Sequence, residues 1–215
     1  MLKSQELTEA IKDYLQDIET EYAIMIDGKW GCGKTYFWNK NIVPMLEEKD
    51  FKNIHISLYG VKSVDEIEQK LLYKLLNLST DYNIKKSDAS AVLSEISKYI
   101  DIILEKLDSG KSNFKAIADL FTGVASQFVL QRTLLSSRQN YVICFDDLER
   151  LAPDTNIAEI LGYINQFVEH YKIKTVFICH EDEVKSEKYN IWKEKIVSYT
   201  YKLSPPIEED NRLFY

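Results

Sequence analysis

A short segment near the amino terminus combines three glycines with two lysines and a threonine. Residues 28–35 read G-K-W-G-C-G-K-T, which matches the pattern G-x-x-x-x-G-K-[S/T] of a phosphate-binding loop. The glycines let the backbone curl until several N–H groups point at phosphate oxygens. In such a loop the lysine places its ammonium against the β- and γ-phosphates, and the threonine offers its hydroxyl to Mg²⁺. The residues with these roles are Gly28, Gly31, Gly33, Lys34 and Thr35.

Four further side chains complete the set that we expect to contact a nucleotide: Lys29, Trp30, Cys32 and Tyr36. Trp30 either packs beneath the loop, which we favour, or touches the nucleotide. Cys32 is interpreted as a small loop residue whose thiol lies in the positive field of the site.

A second segment supplies carboxylates directly after an apolar run. Residues 141–151 read Y-V-I-C-F-D-D-L-E-R-L, and a buried strand that ends in acids suits Mg²⁺ and water binding in a nucleotide enzyme. Asp146 is the candidate metal-side carboxylate, acting directly or through a bound water. Asp147 is the first candidate to orient or deprotonate an attacking water, and Glu149 is the second. Arg150 either forms a local ion pair, which we favour, or reaches the nucleotide of a neighbouring subunit.

The elements that must position these residues alternate between strands and helices. Pro44 should kink or shorten the helix that follows the loop, Ser4 is a candidate N-cap, and Ser63 with Glu66 forms a capping-box pattern. Apolar strands that alternate with helices predict a mostly parallel sheet covered on both faces. We expect strands at 22–27, 53–59, 141–145, 175–179 and, at an edge, 196–203, with helices at 4–20, 34–48, from 63, 90–107, 113–136 and 156–171.

Length and composition bound the class of protein. The chain has 215 residues and is 45% hydrophobic and 28% charged, which fits one globular α/β domain over residues 1–215 with a helical insert at about 63–138. The formal net charge of −7 argues against a broad nucleic-acid-binding face. His55, in a predicted strand, is expected to be a packed or edge histidine without a catalytic role.

Cysteine usage and hydropathy bear on the compartment. Three well-separated cysteines without a Cys/His cluster argue against a zinc site and suit reduced thiols in a cytosol. The amino terminus has no apolar signal region. The most apolar stretch, 114–130, is amphipathic rather than uniformly apolar, which argues against a membrane span and favours a cytoplasmic location.

These motifs together resemble those of the KAP P-loop NTPases, distant relatives of the AAA+ and STAND ATPases. The likeness rests on the loop with its W-G pair, on D-D-L-E-R at 146–150, on I-S-L-Y-G-V-K-S-V-D-E-I at 56–67, and on K-I-V and L-S-P-P near residues 195–206. The resemblance implies a three-layer P-loop sandwich with a five-stranded sheet of the additional-strand type, in which the strand T-V-F-I-C lies between the loop strand and the acidic strand.

The resemblance also implies further roles. Cys179 or His180 would lie near the γ-phosphate, in the neighbourhood called sensor 1. Pro205 and Pro206 would match the proline that lies near the base or sugar in related families. Many members carry membrane spans where this chain has its predicted helices, and some bacterial members are linked to phage exclusion.

Two hypotheses about function follow. The first is a P-loop NTPase that binds ATP with Mg²⁺ and hydrolyses the γ-phosphate. The second is a nucleotide-gated interaction or oligomerisation module that hydrolyses little and uses the helical insert to hold a protein partner or a second copy.

Overall fold

The computed structural model describes residues 2–17, 21–81 and 140–203. Within these ranges the chain forms α1 (Ser4–Gln16), β1 (Ala23–Asp27), α2 (Lys34–Phe37), α3 (Val43–Glu48), β2 (Phe51–Ser57), α4 (Val64–Asp81), β3 (Asn140–Asp146), α5 (Ile157–Glu169), β4 (Lys174–Cys179), α6 (Glu187–Ile196) and β5 (Val197–Lys202). Contacts divide the chain into two compact units, Met1–Lys62 with Tyr141–Tyr215, and Ser63–Asn140. The second unit follows β2 and precedes β3 in the sequence.

The five strands form one sheet in the order β2-β3-β4-β1-β5. Strand β4 pairs in parallel with both β1 and β3, and β5 pairs in parallel with β1. The strand T-V-F-I-C therefore lies between the loop strand and the acidic strand, which confirms the additional-strand arrangement. Because the carboxyl ends of parallel strands meet at one edge of a sheet, residues that follow β1, β3 and β4 become neighbours.

Alternating strand residues explain why helices cover both faces. On one face, Ile24 and Ile26 of β1 join a buried cluster with residues of α1 and of the segment that follows the loop. On the other face, the Phe145 ring of β3 lies 6.0 Å from Phe177 of β4 and 6.4 Å from Phe167 of α5, measured between ring centroids. These strands are buried on both sides, which matches their apolar sequences.

The helix after the loop is irregular where Pro44 was expected to disturb it. A π-helical segment, Trp38–Ile42, joins α2 to α3, and Pro44 lies in the first turn of α3. Proline has no N–H and its ring clashes with the carbonyl four residues earlier, so a widened turn relieves the conflict. The helix continues instead of ending, and Trp38 and Ile42 stay fully buried.

Three helix predictions differ from the structure or lie outside it. The first helix ends at Gln16 rather than at residue 20. Its N-cap is Lys3 rather than Ser4, and the Lys3 backbone N–H donates to the Glu6 carboxylate at 2.9 Å. Helix α6 was not predicted, because only Tyr189 and Ile196 of its residues are buried and the apolar periodicity is weak. The helices predicted at 90–107 and 113–136, including the amphipathic stretch, lie outside the described residues.

In the parts of the chain that the structure describes, none of the helices has both the length and the apolarity needed to cross a bilayer.

The aromatic layer between β3, β4 and α5 should carry much of the stability of the first unit. Phe145→Ala removes a ring that is fully buried and is expected to lower the free energy of unfolding by about 3–5 kcal/mol. Ile191→Ala is the control, since Ile191 is 71% exposed and its loss should cost less than about 0.5 kcal/mol. Urea denaturation measures both, and equal effects would contradict this account of the core.

Candidate functional site

The phosphate-binding loop leaves β1 and forms an open cradle. The Gly28 N–H donates to the carbonyl of Cys179 at 3.2 Å, which ties the loop to the end of β4. Gly31 and Gly33 adopt φ values of 79° and 88°, where residues with a Cβ are strained. A Cβ built on either glycine would meet no heavy atom within 4 Å. These glycines are therefore favoured by the left-handed backbone of the loop and not by crowding around it.

Lys34 follows the loop with its ammonium turned back into it. The residue is only 8% exposed, and Nζ donates to the carbonyl of Gly28 and, at 3.2 Å, to that of Lys29. These carbonyls satisfy the buried charge locally. An incoming phosphate would compete with these carbonyls for the hydrogen bonds of the ammonium.

Asp146 ends β3 beside the loop, and both of its carboxylate oxygens have partners. Oδ2 accepts a hydrogen bond from Thr35 Oγ1 at 2.7 Å and lies 3.2 Å from His55 Nε2, while Oδ1 accepts from the Asp147 N–H at 2.8 Å. Burial alone would raise the pKa of this carboxyl, but the hydrogen bonds from His55 and Thr35 outweigh it and hold the pKa below its usual range. Asp146 is thus anionic at neutral pH.

Asp147 is the first residue after β3 and has a left-handed backbone, with φ of 62°. Aspartate tolerates this conformation better than most residues, and such strain often marks functional sites. Its Oδ2 accepts from Ser57 Oγ at 3.0 Å, and its Oδ1 lies 3.5 Å from Arg150 Nε. The local ion pair expected for Arg150 is present.

Glu149 turns back toward the loop. Its side chain is only 2% exposed, and Oε1 accepts a hydrogen bond of 2.8 Å from Trp30 Nε1. The Arg150 guanidinium lies 5.3 Å from the centroid of the Trp30 ring and 5.9 Å from that of Tyr59, within reach of a cation–π interaction. Trp30 is 53% exposed, so it does not pack beneath the loop as we expected. It connects the loop to the acidic segment.

The remaining predicted site residues fall in different places. The His180 ring lies edge-on to Trp30 at 5.4 Å, so His180 does lie beside the loop. Cys32 is buried, and a Cβ on Gly28 would approach its Sγ to 2.8 Å. Tyr36 is 69% exposed, and Pro205 lies outside the described residues.

Two residues of β2 contact Asp146 and Asp147, and neither contact was predicted from the sequence. His55 was expected to be a packed or edge histidine without a catalytic role; β2 is an edge strand, and His55 contacts Asp146 while Ser57 contacts Asp147. The alternation N-I-H-I-S contained a signal. Ile54 and Ile56 are buried on one face, so His55 and Ser57 share the other face at the carboxyl end of β2.

The geometry defines a P-loop α/β domain. The KAP family P-loop domain model matches residues 4–214. The chain therefore belongs to the KAP family of P-loop NTPases, a nucleotide-binding family.

A solved structure of another protein has a similar fold. Cdc6p from Pyrobaculum aerophilum superimposes with a TM-score of 0.56 at 16% identity, covering 93% of this chain and 43% of that chain. This chain therefore spans less than half of the Cdc6p chain, and the likeness concerns the fold alone. An inward-facing putative metal-chelate type ABC transporter gives a TM-score of 0.40 at 16% identity, covering 86% of this chain and 71% of that chain, which is too low to support an argument. No curated protein sequence matches the chain.

The lowered pKa of Asp146 predicts a dependence of stability on pH. Because the pKa of Asp146 in the folded protein lies below its ordinary value of 3.8, the charged carboxylate stabilises the fold above that value, and this stabilisation is lost as pH falls through the folded pKa. The free energy of unfolding of the wild type should therefore fall relative to that of Asp146→Asn as the pH is lowered below about 4.

Asp50→Asn is the matched control. It removes the same charge from a side chain that is 95% exposed. Urea unfolding between pH 2.5 and 6 measures all three proteins. A wild-type advantage over Asp146→Asn that is the same at every pH would contradict the assignment.

Proposed function

We propose that this chain binds ATP together with Mg²⁺ and hydrolyses the γ-phosphate. The observation that carries the proposal is the 2.7 Å hydrogen bond from Thr35 Oγ1 to Asp146 Oδ2. It joins the hydroxyl of the phosphate-binding loop to the first carboxylate of the acidic strand end, residues that are 111 positions apart in the sequence. These are the two protein groups that a P-loop NTPase uses to hold Mg²⁺.

The chemistry of the donors fits Mg²⁺ bound with a nucleotide. Mg²⁺ prefers oxygen ligands and is usually held by one or two carboxylates together with substrate phosphates and waters. Thr35 and Asp146 supply a hydroxyl and an anionic carboxylate. Among the described residues no group of three or more His, Cys, Asp or Glu side chains could hold a metal alone, which is consistent with a cation that needs phosphate oxygens to complete its shell.

The protein residues have separate tasks in this proposal. The amides of the loop from Gly28 to Gly33 surround the phosphates, and the Lys34 ammonium exchanges its bonds to the loop carbonyls for phosphate oxygens. Thr35 and Asp146 hold the cation, which when bound would offset phosphate charge. Asp147 or Glu149 orients the attacking water. Catalysis of this kind consists of positioning and electrostatic stabilisation.

A nucleotide-gated interaction module remains the second hypothesis, and a single-turnover assay separates the two. Release of phosphate that requires Mg²⁺ supports hydrolysis. Tight ATP binding with negligible release supports the switch. A role in phage exclusion is proposed only on the resemblance to bacterial family members, since the contacts of the site are the same for any process that uses ATP.

Lys34→Ala should weaken Mg-ATP binding about 10- to 100-fold, because it removes charge-assisted hydrogen bonds to phosphate. Lys40→Ala is the matched control, since Lys40 is exposed in the helical segment that follows and lies outside the loop. Isothermal titration calorimetry with ATP, ADP and GTP measures the affinities. Equal affinity of wild type and Lys34→Ala would remove the basis of the site.

Thr35→Val should lower the affinity for ATP in the presence of Mg²⁺ by about tenfold and leave the affinity in EDTA unchanged, because it deletes only a metal-side hydroxyl. Phosphate release should fall with it. Thr8→Val in α1 is the control, as the Thr8 hydroxyl donates only to the Ser4 carbonyl, at 2.8 Å. An equal loss with and without Mg²⁺ would contradict the assignment of Thr35 to the metal.

A further inference from the structure

The three acidic residues at the carboxyl end of β3 differ in the partners of their carboxylate oxygens. Asp146 has hydrogen-bond partners on both oxygens. Asp147 accepts from Ser57 on Oδ2, and its Oδ1 forms an ion pair of 3.5 Å with Arg150 Nε. Glu149 Oε1 accepts from Trp30 and lies 3.9 Å from Arg150 Nε, while its Oε2 is buried and has no hydrogen-bond partner. A residue that orients a water needs an acceptor that the protein has not already used.

The Oε2 atom of Glu149 is buried as well as unpartnered. A buried carboxylate oxygen without a partner costs free energy, and in native proteins such an atom usually marks an unplaced water, an ion or a functional role. The His180 Nδ1 is also buried without a partner, and the His180 ring packs against Trp30. Both residues that contact Trp30 here, Glu149 and His180, therefore carry a buried polar atom without a hydrogen-bond partner.

Glu149 and Lys34 both contact the phosphate-binding loop. Glu149 Oε1 accepts from Trp30 Nε1 at 2.8 Å, and the Lys34 ammonium donates to the carbonyls of Gly28 and Lys29. The carboxylate and the ammonium therefore both lie against the loop.

Trp30 determines which oxygen of Glu149 stays free. An indole N–H can only donate, so the 2.8 Å contact fixes Oε1 as its acceptor. Arg150 covers the Trp30 ring and pairs with Asp147, so both acidic side chains and the loop are held together. A phenylalanine at position 30 would keep a ring for Arg150 and lose only the donor.

We propose that Glu149, rather than Asp147, is the catalytic residue that holds the attacking water through Oε2, and that Trp30 is the positioning residue that orients it. This rests on the proposed hydrolysis of ATP. The water oxygen bonds to the γ-phosphorus as the bond from that phosphorus to the leaving oxygen of ADP breaks. Glu149 Oε2 takes the proton of the water and returns it to the released phosphate.

Single-turnover phosphate release and Mg-ATP affinity test the roles together. Glu149→Gln should slow release about 100-fold or more with affinity within about threefold of wild type, whereas Asp147→Asn should slow it less than tenfold. Trp30→Phe should slow release about tenfold at unchanged affinity, and adding it to Glu149→Gln should cause no further loss. A merely structural Trp30 would change affinity and stability instead.

A measurement without nucleotide checks the contact itself. The fluorescence of Trp30 is the difference between the emission of the wild type and that of Trp30→Phe. Glu149→Gln should change the emission of a protein that has Trp30. In a protein that carries Trp30→Phe, Glu149→Gln should leave the emission unchanged. Trp192→Phe is the control for loss of a tryptophan elsewhere. Circular dichroism verifies that each variant is folded.

Two results would overturn the proposal. The first is a wild-type protein that hydrolyses ATP while Glu149→Gln releases phosphate within threefold of the wild-type rate, or while Asp147→Asn slows release more than Glu149→Gln does. Glu149 would then not have this role, and the proposed hydrolysis of ATP would stand. Wild-type protein that binds Mg-ATP and releases no phosphate would overturn the hydrolytic function and this assignment with it.

Discussion

The hydrogen bond between Thr35 and Asp146 joins the phosphate-binding loop to the acidic end of β3. Thr35 belongs to the loop after β1, Asp146 ends β3, and their side chains meet at 2.7 Å. Strand β4 lies between β1 and β3, so the contact reaches across the end of a strand rather than between neighbours. The loop can meet the acidic strand end only because all three strands run in parallel and end at the same edge of the sheet.

The central strands hold this edge in place through burial on both faces. The core residues of β1, β3 and β4 lie between helices, which explains why strained or costly features persist at their ends. The left-handed backbone of Asp147, the buried Lys34 ammonium and the unpartnered Glu149 oxygen each carry a local cost. Such costs are concentrated where a site must be preorganised.

The sequence was informative wherever a local pattern sets the outcome. Apolar runs predicted the strands, and the loop spacing with the acids after β3 predicted which segments meet, because both follow from short motifs and from the rules of parallel sheets. Contacts that depend on side-chain direction were not predictable in this way. Trp30 was expected beneath the loop but contacts Glu149, and the contact of His55 with Asp146 was not predicted. Helix α6 was missed since it buries few residues.

Hydrogen–deuterium exchange with and without Mg-ATP tests most directly whether the loop and the acidic strand end act as one nucleotide site. The account predicts that residues 28–35 and 146–150 gain protection together, at the same nucleotide concentration, because one ligand closes both segments. Protection of only one segment, or of neither while ATP binds elsewhere, would contradict the account.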